Sequence, residues 1–173
     1  MENWGQYSEM VSLKYKNAVV TPLICAWEFI KRPKLQTWEK DWNEINKLSI
    51  RYKWSLSIDF QKLLKDLGTA ILITDVNQQI RFASSKFEKM TGYSKEEVLG
   101  RKPNFLQGKD TDFKTNERIR LALKCGEEVA ATVLNYKKEG TPYHCQLHIQ
   151  PVYNKKKKLV NFLAIEKPVE LPK

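Results

Sequence analysis

The chain has 173 residues, of which 42% are hydrophobic and 29% charged. This composition fits one domain with an extension, or two very small domains, and it excludes a largely disordered, fibrous or low-complexity chain. The 30 basic and 20 acidic side chains give a net charge of +10, which favours acidic partners such as nucleic acid, anionic lipid or an acidic protein. The basic excess is spread thinly apart from the lysines at 155–158, so nucleic-acid binding is the weaker interpretation.

Cysteine usage indicates a reducing compartment. The three cysteines, Cys25, Cys125 and Cys145, are widely spaced and include no CxxC pair. This pattern is atypical of a disulfide framework or a zinc site. We therefore expect reduced thiols in a cytoplasmic protein that binds no metal.

The N-terminal region contains an apolar segment at residues 18–26. It is shorter than the roughly 18 residues that a membrane-spanning helix needs, and Pro22 interrupts it. We interpret it as part of a short buried helix near 22–31, with Thr21 as its cap, rather than as a secretion signal or a membrane anchor.

All five tryptophans lie within the first 54 residues, which suggests two structural units. We predict a helical N-terminal extension at residues 1–66, a second domain at 67–168 and a short tail at 169–173.

Apolar residues recur about every 3.6 positions from Trp38 to Leu67, which is the period of an α-helix. The pattern predicts one long amphipathic helix, capped by Thr37 and stopped by Gly68. Two interpretations are open: a helix packed on its own domain, or a helix that carries a signal or a homodimer contact. The exposed face of the sheet is the other candidate dimer surface.

The second part changes period and alternates short strands with short helices. Gly126 and the Ser94 capping pattern mark two of the helix ends. The predicted strands are 70–74, 79–83, 129–136, 143–152 and 159–165, and the predicted helices are 84–90, a short turn from 94, and 112–124. This β-β-α-α-α-β-β-β order predicts an α+β fold: a five-stranded antiparallel sheet with helices on one face and a pocket between them.

Several motifs in this part share a family pattern. Residues 100–108 read GRKPNFLQG; TGYS precedes them at 91–94, and LNY and LHIQP follow at 134–136 and 147–151. Together with the element order, they resemble a PAS domain of the light-oxygen-voltage (LOV) type over residues 68–167. The resemblance implies a non-enzymatic sensory or regulatory domain, flavin mononucleotide (FMN) as a possible cofactor, and a light-driven bond from a cysteine thiol to the flavin.

Departures from the family pattern affect that chemistry. Pro103 stands where the family has the reactive cysteine, which implies that the usual cysteinyl-flavin photoadduct cannot form. Three other family positions for ring or phosphate contacts are retained, and three are changed. The retained residues are Gln107, Arg120 and Asn135; the changed ones are Asn104 for an arginine, Cys145 for an asparagine and Glu166 for a glutamine.

Strand alternation places Asn135, Cys145 and Glu166 on the core face of the predicted sheet. A buried carboxylate without a partner costs several kcal/mol or stays protonated. A protonated Glu166 could donate to a ligand carbonyl. Alternatively, Glu166 turns to solvent or pairs with Lys167 or another lysine, and the sequence leaves both possibilities open.

The function classes follow from these features. The sequence contains no nucleophile-elbow, Walker or HExxH motif, and His144 and His148 lie about 13 Å apart on one strand, too far to share a metal. We predict a non-enzymatic sensory domain that acts through its pocket and through a helical interface with a second copy or an unidentified signalling protein. The alternatives are an FMN photoreceptor that signals by flavin photoreduction, and a basic module that binds nucleic acid or an acidic protein.

Overall fold

A computed structural model of the chain describes residues 36–170, which lie within one compact unit. The helix expected near 22–31 and Cys25 lie outside the described residues. Within the described part, no helix is long and apolar enough to cross a membrane.

A five-stranded antiparallel sheet forms the centre of the unit, with the strand order β2-β1-β5-β4-β3. The α+β class and the sheet predicted from the sequence are confirmed. The strands are β1 (Ala70–Asp75), β2 (Ile80–Ala83), β3 (Val129–Tyr136), β4 (Pro142–Tyr153) and β5 (Leu159–Val169). The helices are α1 (Thr37–Tyr52), α2 (Phe60–Lys65), α3 (Ser85–Thr91), α4 (Lys95–Val98) and α5 (Phe113–Cys125), with a 3-10 helix at Pro103–Leu106.

Strand β5 is longer than the sequence indicates. It continues past residue 165 to Val169 because Cys145 pairs with Pro168 and His144 pairs with Val169 on β4. Strand β1 starts at Ala70, which pairs with Glu166, so β1 does not extend far enough to pair with Pro168. The missing amide hydrogen of Pro168 therefore breaks no ladder bond to β1.

The single long helix predicted from Trp38 to Leu67 is wrong. Helix α1 ends at Tyr52, followed by Lys53 in the left-handed conformation with φ of 53°. Trp54 then donates its indole N–H to Asn161 Oδ1 at 2.9 Å. Two helices that bury apolar faces on the same surface keep the period of one, so periodicity alone cannot reveal the break.

The predicted ends of this helix are also wrong. Helix α1 begins after Gln36, which forms a capping box with Glu39, and not after Thr37. Helix α2 ends at Lys65, three residues before Gly68.

Helices α1 and α2 cover one face of the sheet, opposite the face that carries α3 to α5. Ile45, Phe60 and Leu64 pack in one cluster with Ile71 and Leu163 of the sheet, and all five side chains are buried. Residues 36–66 therefore cover one face of the sheet over β1 and β5.

A polar contact joins α1 to α3. The buried carboxylate of Asp41 accepts hydrogen bonds from the Ser85 amide at 2.9 Å and from Ser85 Oγ at 3.0 Å. Burial raises the pKa of Asp41, against the opposing effect of these two bonds. Asp41 thus satisfies the first amide of α3 from a different helix.

Candidate functional site

A cavity of about 370 Å³ lies between the sheet, the 3-10 helix and α5. Its walls are mostly apolar, and polar groups occur at two ends. Leu72, Val133, Leu147, Ile149 and Phe162 line it from the sheet, and Leu106 lines it from the 3-10 helix. The pocket expected between sheet and helices is thus present.

The loop that roofs the cavity is held by its backbone geometry. Pro103 occupies the first position of the 3-10 helix, where its fixed φ and missing amide hydrogen are tolerated. Gly108 lies against Tyr136, and a Cβ there would be 2.3 Å from the ring atom Cε2. Thr111 Oγ1 donates to the Leu134 carbonyl at 2.7 Å, which ties the end of the loop to β3.

Helix α5 forms the outer wall. Asp112 caps its first turn by accepting from the Thr115 amide at 2.7 Å, and Gly126 ends it with φ of 71°. The helix has no buried residue. Its inner face lines the cavity with Asn116, Ile119, Arg120 and Leu123, and Ile119 also packs against the small cluster of Ala131, Val133 and Leu147 on the sheet.

Six of the seven site residues singled out in the sequence line this cavity. They are Pro103, Asn104, Gln107, Arg120, Asn135 and Glu166. The seventh, Cys145, is fully buried and does not line it. The Cys145 thiol lies behind Glu166, with Sγ 4.0 Å from Oε2.

The open end of the cavity carries polar side chains. Gln107 Nε2 donates to Asn116 Oδ1 at 3.1 Å. Arg120 makes two hydrogen bonds to Glu117, at 2.6 and 3.0 Å; this pairing raises the pKa of Arg120 and lowers that of Glu117. Sequence reasoning missed Asn116, although its i, i+4 spacing from Arg120 places both on one helical face.

The closed end of the cavity carries Asn135 and Glu166. Their exposed fractions are 6% and 5%. Burial raises the pKa of Glu166 to about 7. The alternative that Glu166 reaches solvent or pairs with Lys167 is wrong, because Lys167 Nζ contacts Asp66 Oδ2 at 2.9 Å and alternation directs it to the opposite face.

Two further acidic groups are buried beside Glu166. The Tyr143 hydroxyl has no hydrogen-bond partner among the described residues. Burial raises the pKa of Tyr143, and Glu166 and Cys145 add to the effect. Burial and Glu166 likewise raise the pKa of the Cys145 thiol. An ionised Glu166 therefore disfavours ionisation of the other two groups.

The histidines of β4 lie away from the cavity. His148 Nε2 contacts Glu128 Oε1 at 2.5 Å on the surface. Residues 36–170 contain no group of three His, Cys, Asp or Glu side chains that could hold a metal ion.

Comparisons with known proteins agree with this geometry. A family model described as a PAS domain matches residues 68–167, more than half of the chain. The chain is 38% identical over 113 residues to Protein TWIN LOV 1 of Arabidopsis thaliana, across 63% of this chain and 28% of that protein. It is 41% identical over 118 residues to a blue-light photoreceptor of Listeria monocytogenes, across 64% of this chain and 46% of that protein.

A solved structure from a study of a flavin analogue and the light-oxygen-voltage domain mechanism superposes with a TM-score of 0.61 at 34% identity. The superposition covers 66% of this chain and 87% of that one. The chain spans less than half of the length of the two curated relatives.

Proposed function

The chain belongs to the PAS domain family, and we propose that it is a LOV-type sensory domain that binds a flavin but forms no cysteinyl photoadduct. One observation carries the proposal: the cavity has two buried polar side chains at its closed end and is lined by Pro103, the residue that the resemblance aligns with the reactive cysteine. The proposed role is sensing and not catalysis.

The closed end suits the polar edge of a flavin ring. The Asn135 amide can donate and accept, as an imide edge requires, and Glu166 lies on the neighbouring part of the wall. Apolar side chains on both sides suit the two faces of a planar ring. The volume of about 370 Å³ lies in the range of about 300–1,000 Å³ that is typical of small-molecule sites.

The open end suits a phosphate less well than the family pattern does. Arg120 and Lys102 both line the cavity and could contact an anion. Asn104 supplies no charge where the resemblance implies a second arginine. The loss of one charged hydrogen bond weakens binding by about 1.5–3 kcal/mol, so we expect weaker FMN binding than the full pattern would give.

When bound, a flavin supplies blue-light absorption and a ring that accepts electrons. The residues of this chain bind the ring, exclude water from its faces and hold its polar edge. No thiol from the described residues lines the cavity, because Cys125 is exposed on α5 and Cys145 lies behind Glu166.

We propose that the state of the cavity is read through α1 and α2, which a second copy or a signalling protein would contact. Consecutive residues of β5 face the two sides of the sheet: Ala164 lines the cavity, and Leu163 packs in the cluster with α1 and α2. Ile50 of α1 is 68% exposed and is available for such a contact. Co-purification of tagged and untagged chains at micromolar concentration tests the homodimer, and absence of exchange would contradict it.

Reconstitution with FMN tests the function. The purified full chain should quench FMN fluorescence and retain a visible flavin band after gel filtration. Blue light should then cause no reversible bleaching of that band in the wild-type chain. The variant Pro103→Cys should gain reversible bleaching, since it places a thiol at the cavity wall.

Two outcomes would contradict the proposal. Failure of both the wild-type chain and Pro103→Cys to retain any flavin would exclude flavin binding. Reversible bleaching of the wild-type chain that disappears when its cysteines are replaced by serine would show that some thiol reaches the ring. The variant Cys125→Ser is the matched control, because its thiol is exposed and away from the cavity, and it should behave as the wild-type chain.

A further inference from the structure

Glu166 is a buried carboxyl group, and no cation among residues 36–170 forms an ion pair with it. It lies on β5 opposite Leu147 of β4 and Ala70 of β1, and neither neighbour carries a polar side chain. Among the described residues, the one hydrogen-bond contact of its carboxyl group is with the Cys145 thiol at 4.0 Å. A carboxylate in such surroundings lacks the hydrogen bonds that normally compensate for the loss of water.

The titratable groups around Glu166 are two acids and two cations. From β4, Tyr143 and Cys145 face it, and both are acids whose own ionisation it opposes. The cations Lys102 and Arg120 line the same cavity from the 3-10 segment and α5. Burial is nevertheless the sole cause of the raised pKa of Glu166, so neither cation is close enough to offset it.

The protonation state of Glu166 decides which ligand edge the closed end can accept. A neutral carboxylic acid can donate one hydrogen bond, whereas a carboxylate can only accept. Beside the Asn135 amide, a neutral Glu166 suits a ring with a carbonyl next to an imide. An ionised Glu166 would face that carbonyl oxygen with a like partial charge and would repel it.

We propose that Glu166 determines ligand specificity at this site: it binds a ring carbonyl as a neutral acid, so that ligand uptake requires a proton and weakens above neutral pH. This inference rests on the proposed function, since it assigns a role to one residue within the same cavity. The ligand class is a planar heteroaromatic ring with adjacent carbonyl and N–H groups.

Riboflavin is the probe that isolates this effect. It carries the flavin ring but lacks the phosphate of FMN, which would itself titrate near pH 6. Fluorescence quenching by the full chain gives its association constant between pH 5.5 and 8.5. Linkage predicts binding about 30-fold weaker at pH 8.5 than at pH 5.5, with nearly all of the loss above pH 7.

Two variants complete the titration. Glu166→Gln keeps a donor at every pH, so its association constant should vary by less than about twofold and exceed that of the wild-type chain at pH 8.5. Glu96→Gln makes the same chemical change at an exposed position of α4 and should follow the wild-type curve.

Calorimetry of the wild-type chain gives a test that needs no variant. Titrations in two buffers of different ionisation enthalpy should show uptake of about one proton per riboflavin at pH 8.5 and almost none at pH 5.5. Riboflavin binding that is independent of pH and takes up no proton would overturn the role of Glu166 and leave flavin binding intact. Absence of riboflavin and FMN binding at every pH, in the wild-type chain and in Glu166→Gln, would overturn both proposals.

Discussion

Two buried polar residues on β5 differ in whether the protein satisfies their hydrogen bonds. Asn161 faces α1 and α2, and its side chain accepts from the Trp54 indole at 2.9 Å and donates to the Thr74 carbonyl at 3.0 Å. Glu166 lies five residues further on and faces the cavity. Among the described residues, its carboxyl group has a single hydrogen-bond contact, with the Cys145 thiol at 4.0 Å. One side chain is satisfied by the protein and the other is not.

The difference separates a structural polar group from one available to a ligand. A buried polar group with all its hydrogen bonds made specifies the packing around it. One without them destabilises the fold until something binds it. The packing of α1 and α2 on one face of the sheet therefore stabilises the fold. On the cavity face, the unsatisfied carboxyl group lowers stability and remains available to a ligand. The following predictions test this division, from the largest expected effect to the smallest.

Truncation of the closed face should cost the most. Ile45 is fully buried, so Ile45→Ala should lower the free energy of unfolding by about 4 kcal/mol through lost burial and a new void. Ile50 lies on the same helix but is 68% exposed, so Ile50→Ala should change the free energy of unfolding by less than about 0.5 kcal/mol. Denaturant unfolding of both variants checks this, and equal losses would contradict the packing of α1 on the sheet.

Replacement of Glu166 by glutamine should stabilise the fold in a pH-dependent way, because it removes a buried carboxylate. The folded-state pKa of Glu166, about 7, lies above its ordinary value of 4.5, so the folded state retains a proton that the unfolded state loses. The free energy of unfolding should then fall between about pH 4.5 and 7, by up to about 3 kcal/mol, and Glu166→Gln should remove this part of the slope. Urea unfolding at several pH values measures it. Parallel curves for the variant and the wild-type chain would show that Glu166 ionises freely in the folded state.

Crowding of the cavity roof should have an intermediate effect. Gly108→Ala places a Cβ against the Tyr136 ring and should destabilise the fold by about 2 kcal/mol. At Gly68 the nearest atom to a new Cβ is 3.7 Å away, so Gly68→Ala is the matched control with little expected loss. Tyr136→Ala in the Gly108→Ala background should recover part of this lost stability in denaturant unfolding, because it removes the ring that the new Cβ would meet. No recovery would indicate that the glycine is needed for a reason other than this contact.

Loss of the cap between α1 and α3 should have the smallest effect. Asp41→Ala leaves the Ser85 amide without its acceptor and should cost about 1 kcal/mol, whereas Asp41→Asn keeps an acceptor and should cost less. Thermal melts of the two variants give the comparison. An Asn variant as unstable as the Ala variant would mean that the charge, and not the hydrogen bond, stabilises this joint.

Much of the sheet could be predicted because its strands alternate cleanly. The bounds of β3 agree with the predicted 129–136, where buried residues alternate with more exposed ones. The C-terminal end of α5 followed from Gly126, whose capping role depends on local backbone geometry alone, whereas the start was predicted at residue 112, which the structure shows to be the cap before the helix.

Other features could not be predicted because they depend on contacts distant in sequence. The break after α1 depends on Trp54 reaching Asn161, which is 107 positions away. The position of Glu166 depends on how far β4 pairs with β5, since a strand that ended at residue 165 would have left it free to turn outward. Alternation placed Cys145 on the core face, but only the structure shows that it lies behind Glu166 and not at the cavity wall.

Helix α5 has a consequence for local dynamics. Because none of its residues is fully buried, fewer apolar contacts oppose its local unfolding than in the buried strands, and its amides should exchange with solvent deuterium earlier than those of β1 or β5. A ring that fills the cavity would contact Ile119 and Leu123 and slow this exchange. Occupancy of the site should therefore be readable from the exchange rate of this one helix.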